Sequence, residues 1–382
     1  MSRTAAETAA AAIGRTMDPG VAARYSRYVE FMKQPIHYVR TADGISLAWA
    51  RSGRGPQLAR ASNWLTHLEY DWESPVWTHW TRFLAQHFSY VRYDERGCGM
   101  TDWKVGELSL DQWVTDLETV VDAAGMDDRI TLFGVSQGAA VAIAYAVRHP
   151  ERVATLILYG GYAIGARWRE DADHVAAYRA MQELARIGWQ KPNPAFRQVF
   201  TSRFIPEGTE EQVRWFNDLC QRTTTPEIAY QLLAARAEVD IRPLLQHVAA
   251  PTLVLHGTGD EVVPASEGRR LAAGIPGASF VPLDSRNHVL LADEPAWQDF
   301  KDAVLEFTGL AGTGGEADID ALTARERDVF RLLCAGSANA RIAGDLGIAE
   351  KTVRNHVSRI YEKLGVRSRA EALVMARRKN YV

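Results

Sequence analysis

Cysteine is scarce: Cys98, Cys220 and Cys334 are the only three in 382 residues. Their odd number, wide spacing and lack of any CxxC pair exclude a disulfide framework and a structural zinc site, and they suit a reducing compartment. No stretch approaches the roughly 18 apolar residues of a membrane-spanning helix. The alanine-rich AAETAAAAIG near the start has no long apolar core of a secretion signal. The expectation is a soluble, cytoplasmic protein with no membrane partner, and no metal or cofactor is implied. Net charge is also small, 44 Lys+Arg against 47 Asp+Glu giving −3, while 47% hydrophobic residues are enough for at least one sizeable core.

That small net charge hides an asymmetry. From Glu316 onward there are 13 basic and 9 acidic residues, a net of +4, which leaves −7 for residues 1–315. Ala349 to Val382 alone holds 9 basic and 3 acidic residues, a net of +6. Positive charge gathered at one end of a chain is the footprint of a polyanionic partner.

After an N-terminal extension over residues 1–34, strand-like runs alternate with helical patterns: PIHYVR, ISLAWAR, QLARAS, SYVRYDERG, ITLFGVS, ATLILYGG, PTLVLHG and SFVPLD. Such alternation predicts an α/β fold, a mostly parallel, doubly wound sheet covered on both faces. The first two runs, joined by TADG, read as an antiparallel hairpin. Between ATLILYGG and PTLVLHG lie about ninety residues, 162–248, of helical pattern, too many for a simple crossover and so read as an inserted helical cap. GLAGTGGEAD, within 309–318, has the composition of a flexible linker. It separates a domain over 35–308 from a helical one over 319–382.

Ser136 stands in GVSQG between the strand-like ITLF and the helical AAVAIAYAVRHP. A strand-turn-helix elbow presents a serine as a nucleophile, and flanking glycines remove side chains that would collide there. The following helix start would let the Gln137 amide donate to an oxyanion. A serine hydroxyl needs a base and the base an orienting carboxylate; HGTGDEVVP offers Asp260 and DSRNHVLLADEP offers His288, each after a strand. With DERGCGMTD (Asp94 to Asp102) these motifs resemble the α/β-hydrolase superfamily over about Pro35 to Phe307, which implies a Ser136, Asp260, His288 triad. The family's HG pair is replaced by Asn63-Trp64, so the second oxyanion donor is either the Trp64 or the Leu65 amide. Trp64, with Asn63, Trp168, Trp189 and Trp215, is a candidate wall for an apolar ligand.

LTARERDVFRLLCAG opens with a capping box, Thr323 with Glu326, and presents Val329, Leu332 and Leu333 for packing. SANARIAGDLG predicts a second helix ending at Gly347, and AEKTVRNHVSRIYEKLGV puts Val353, Val357, Ile360 and Leu364 on one stripe of a third. A last helix starts with a capping box at Ser368 and Glu371. Residues Leu322 to Arg378 resemble the LuxR-type DNA-binding domain, a four-helix unit built on a helix-turn-helix. The resemblance places Arg354, Asn355 and Ser358 toward base edges of double-stranded operator DNA. It places Lys351, Thr352, Arg359 and Lys363 toward phosphates, and it implies a homodimer through Ser368 to Lys379. Ala349 replaces the family's usual serine cap, at a cost of about 1 kcal/mol to that helix.

Together the two halves predict a transcriptional regulator that senses a small ester-, lactone- or amide-like molecule in a hydrolase-fold pocket. An active serine ester hydrolase, or a covalent sensor that deacylates slowly, uses the same residues and remains open.

Overall fold

The computed structural model describes residues 34–311 and 322–364, with residues 366, 369, 372, 373, 376 and 381 beyond them. The expected extension up to residue 33, most of the linker and the Ser368–Glu371 capping box lie outside the described residues. So does most of the helix assigned to dimerisation. The chain forms two compact units that meet at Thr308 and Gly309. No described helix is long and apolar enough to cross a membrane.

All eight expected runs are strands: β1 Ile36–Arg40, β2 Ser46–Ser52, β3 Gln57–Ala61, β4 Ser89–Tyr93, β5 Ile130–Val135, β6 Val153–Tyr159, β7 Thr252–Gly257 and β8 Ser279–Leu283. They form one sheet in the order β1-β2-β4-β3-β5-β6-β7-β8. The pairs β1/β2 and β2/β4 are antiparallel, and every later pair is parallel. The interior strands β5 and β7 are buried at every position, as strands covered on both faces must be, whereas edge strand β1 is nowhere fully buried.

Helices α1 Thr78–His87, α2 Leu110–Ala123, α3 Gln137–Arg148, α9 Ala265–Gly274 and α10 Pro295–Phe307 flank the sheet. The cap holds α4 Ala172–Gly188, α5 Ala195–Phe204, α6 Glu210–Thr223 and α7 Pro226–Ala237, and the short α8 Arg242–Leu245 leads back to the sheet. Its entry and exit differ from the expected continuous helix: an antiparallel bridge between Ile164 and Asp240 ties the two stems together. Local chemistry starts these helices. Thr209 and Gln212 form a capping box on α6, and Thr225 caps α7, with Pro226 at its first turn where a missing N–H costs nothing.

The second unit contains α11 Ala324–Cys334, α12 Asn339–Leu346 and α13 Glu350–Leu364. Thr323 and Glu326 make the expected capping box, and Gly347 ends α12 with a left-handed φ of 63°. The core collects Val329, Phe330, Leu333, Ile342, Val353 and Ile360, with Ala372 and Ala376 also buried against it. On α11, Phe330 is buried and Leu332 only partly so, a shift of the expected stripe by part of a turn.

Candidate active site and nucleic-acid interface

In the first unit the site assembles where β3, β5, β7 and β8 end. Ser136 follows β5 and has φ 54°, ψ −122°; its amide donates to the Tyr159 carbonyl at 2.8 Å, locking the turn to β6. Close packing around this elbow explains its glycines. A Cβ at Gly134 would stand 2.6 Å from Ala139 Cα, and one at Gly138 only 2.5 Å from the Ala61 carbonyl oxygen. Gln137 is the first residue of α3, so its amide is among those without an acceptor inside the helix.

His288 and Asp260 are buried, and Nδ1 of the ring lies 2.6 Å from Asp260 Oδ2. The other carboxylate oxygen accepts from the Val262 and Val263 amides at 2.8 and 3.0 Å. Burial works to raise the Asp260 carboxyl, but pairing with His288 outweighs it, with help from His256 and the Val263 amide, so it ionises below its ordinary range. An anionic Asp260 fixes the proton on Nδ1. Nε2 is left buried and without a hydrogen-bond partner among the described residues. The glycine pair after β6 packs under this group: a Cβ at Gly160 would sit 3.2 Å from His288 Cε1, and one at Gly161 3.6 Å from the Ser136 carbonyl oxygen. His288 also donates its amide to Phe204 and meets that ring edge-on at 5.1 Å. Asp260 and His288 are thus paired, and the Gly160-Gly161 turn packs against both His288 and Ser136, while no hydrogen bond joins the Ser136 hydroxyl to His288 Nε2.

Ser136 opens on a cavity beneath the cap, where Trp64, Gln137, Tyr178, Met181 and Phe204 are among its walls. Of the five residues assigned to a pocket wall, only Trp64 lines this cavity. Trp189 lies behind it, stacked on Trp64 at 5.3 Å. Asn63 is turned away, accepting from Arg60 and donating to the Trp64 carbonyl. Trp215 stacks on Tyr70 at 5.0 Å, and Trp168 is 46% exposed. Of the two alternative oxyanion amides, Trp64 belongs to a cavity wall. Leu65 does not line the cavity, and its amide lies against the buried Cys98 thiol, whose ionisation burial pushes far up. Leu65 nonetheless has φ 60°; with Ser136 it makes up the positive-φ residues other than glycine among those described.

Sequence reasoning missed Arg236, which also lines the cavity. It is 4% exposed, its Nη2 bonds both oxygens of Glu95 at 2.6 and 2.7 Å, and the guanidinium lies 5.2 Å from the rings of both Trp64 and Trp113. Burial pushes the Glu95 carboxyl up to about 7 against the pull of Arg236. A signal for Arg236 existed, since Ile228, Leu232 and Arg236 recur every four residues on the buried stripe of α7.

In the second unit, α13 buries Val353, Ile360 and Leu364 and exposes Lys351, Thr352, Arg354, Asn355, Ser358 and Arg359. Arg354 is 3.7 Å from Glu350 one turn back, a surface pair that is easily exchanged for another anion. Lys363, assigned to a phosphate, is exposed and pairs with Glu326, whose side chain is only 4% exposed and which caps α11. The pair ties the helix's last turn to α11.

Comparison with known proteins gives two independent matches. The family model for serine aminopeptidase, S33 fits residues 77–294, and that for bacterial regulatory proteins of the luxR family fits residues 320–376. AB hydrolase superfamily protein YisY of Bacillus subtilis is 26% identical over 68% of this chain and 94% of its own length. The 3-oxoadipate enol-lactonase 2 of Acinetobacter baylyi is 26% identical over 69% of this chain and 93% of its own. Spore germination protein GerE of Bacillus subtilis is 53% identical over 14% of this chain and 72% of its own. A hydrolase structure from Pseudomonas aeruginosa superposes with a TM-score of 0.60 at 28% identity, covering 72% of this chain and 98% of that one.

Proposed function

This chain belongs to the α/β hydrolases and carries a LuxR-family DNA-binding domain, and from that premise we propose that it is a ligand-responsive transcriptional regulator whose hydrolase-fold cavity is the sensor. The observation that carries the reading is the cavity itself: it opens on Ser136, is roofed by the cap, and belongs to the same chain as an exposed basic recognition helix. The ligand is a small ester, lactone or amide with an apolar body. Relatives named as an enol-lactonase and as a methyl ester esterase point to the same bond types. Ser136 is the nucleophile-type group, His288 its base, Asp260 the orienting carboxylate, and the Gln137 and Trp64 amides the oxyanion donors. Arg354, Asn355 and Ser358 read bases, and Lys351, Thr352 and Arg359 hold phosphates. The DNA-bound form is a homodimer on two half-sites about one helical turn apart.

The test is operator binding by the full chain across a panel of small esters and lactones, with protection of Ser136 from a fluorophosphonate reporting cavity occupancy. Ligands that protect Ser136 should change operator affinity. Protection without any change in DNA binding sinks the sensor reading. A second reading, an esterase that happens to bind DNA, draws on the strained Ser136 and the 2.6 Å His288–Asp260 contact. Rapid p-nitrophenyl ester turnover that ceases in Ser136→Ala would favour it.

A further inference from the structure

The cavity walls carry three arginines, Arg169, Arg203 and Arg236, and no aspartate or glutamate. Each is held differently. Arg236 spends Nη2 on Glu95, yet its Nε and Nη1 are buried without a partner. Arg169 donates from Nη1 to His174, and its Nε is buried and unpartnered. Burial, reinforced by the charge of Arg169, pushes His174 down to about 4, so the ring is a neutral acceptor that leaves the guanidinium charge uncompensated. Neither Arg169 nor Arg203 makes an ion pair among the described residues, and Arg203 meets only the Glu261 carbonyl. Guanidinium donors kept from both water and acceptors are costly, and such a group persists where something else completes it.

We infer that the ligand of this cavity carries a carboxylate on an apolar skeleton, held by the unmet N–H groups of Arg169 and Arg236. The inference rests on the reading of the cavity as a ligand site and names the chemistry of its occupant. A carboxylate oxygen accepts a charge-assisted bond from each unmet guanidinium N–H. A singly charged acid is also cheaper to dehydrate than a phosphate dianion, which matters between Met181, Phe200, Phe204 and Leu233. Trp64 and Trp113, stacked on Arg236, hold its plane in place before any ligand arrives.

The experiment titrates the full chain with hexanoate, octanoate and 3-phenylpropanoate against their methyl esters and primary amides at neutral pH. Tryptophan fluorescence and protection of Ser136 from a fluorophosphonate read the binding. Each acid should bind about tenfold or more tighter than its ester, the effect of a charge-assisted hydrogen bond in a dry site. Arg169→Met should bring that ratio near one with ester binding kept. Arg236→Lys, which retains a cation for Glu95, should reduce it while the chain stays folded. Equal binding of acid and ester, or a ratio that survives Arg169→Met, overturns the charge assignment alone. If no acid, ester or amide binds while Ser136 is still labelled, the ligand-site reading fails and takes this inference with it.

Discussion

At Ser136 the backbone is held in a region that costs a residue with a side chain about 1–3 kcal/mol. The surrounding glycines make that tolerable by letting chain segments approach within the radius of a methyl group. Gly138→Ala should therefore lower the stability of this unit by ~1–3 kcal/mol through overpacking against Ala61. All eleven tryptophans precede Thr308, so fluorescence-monitored denaturation follows this unit alone. An unchanged denaturation midpoint would mean that β3 can retreat from α3. His79 supports a pH prediction. Its ring Nε2 meets the Leu290 carbonyl at 3.0 Å, and burial lowers it from 6.5 to about 4. The unfolded chain takes up this proton first as pH falls, so the stability linked to neutral His79 is complete above about 6.5 and is lost on descent through about 4. His79→Gln should remove that part of the slope. Parallel stability curves for wild type and variant between these pH values would count against it.

At the scale of elements, what could be read in advance was whatever depends on a short window. Most strand runs announce themselves by β-branched and aromatic residues, although β3, QLARA, has none, and the capping box at Thr323 needs only residues three apart. Ser136, Asp260 and His288 were legible for a related reason: each lies just beyond its own strand, and a parallel sheet brings strand ends together. Contacts decided by how one element lies on another were not legible. Trp189 stacks on Trp64 from 125 positions away and so becomes the backing of the wall rather than the wall. Lys363 shows the same limit on one helix, since its place on the outer face of α13 does not reveal that Glu326 of α11 reaches it. These two helices give a paired prediction. Lys351→Ala should reduce the salt dependence of DNA binding by about one counterion, and Arg354→Ala should cost about 1–3 kcal/mol of specific affinity. Lys363→Ala should leave the salt slope unchanged and weaken hydrogen-exchange protection of α11 and α13 instead. A slope change in Lys363→Ala equal to that in Lys351→Ala would return the residue to the phosphate-contacting set.

For the whole molecule, the question is how an event at Ser136 becomes an event on DNA. A ligand can drive the change only by the difference in its affinity for the two states, and moving a 1:99 population to 99:1 takes about 10⁴-fold preference. Chemistry at Ser136 sets how long that preference acts. Losing a triad serine can cost on the order of 10⁶ in turnover, whereas removing one hydroxyl from a largely apolar cavity hardly alters binding. Ser136→Ala in a reporter strain therefore separates three designs. A regulator that binds and releases its ligand intact keeps its dose response. One that hydrolyses its effector responds at lower doses, because the signal now persists. One that must be acylated binds its operator and ignores the ligand. The expected outcome is a response that survives or sharpens. The bulky Trp64 stands where the family has a small oxyanion-loop residue, and the unmet donors of Arg169 and Arg236 are placed to hold a ligand without any covalent bond. A folded Ser136→Ala protein that occupies its operator and stays silent to ligand would instead establish acylation as the signal.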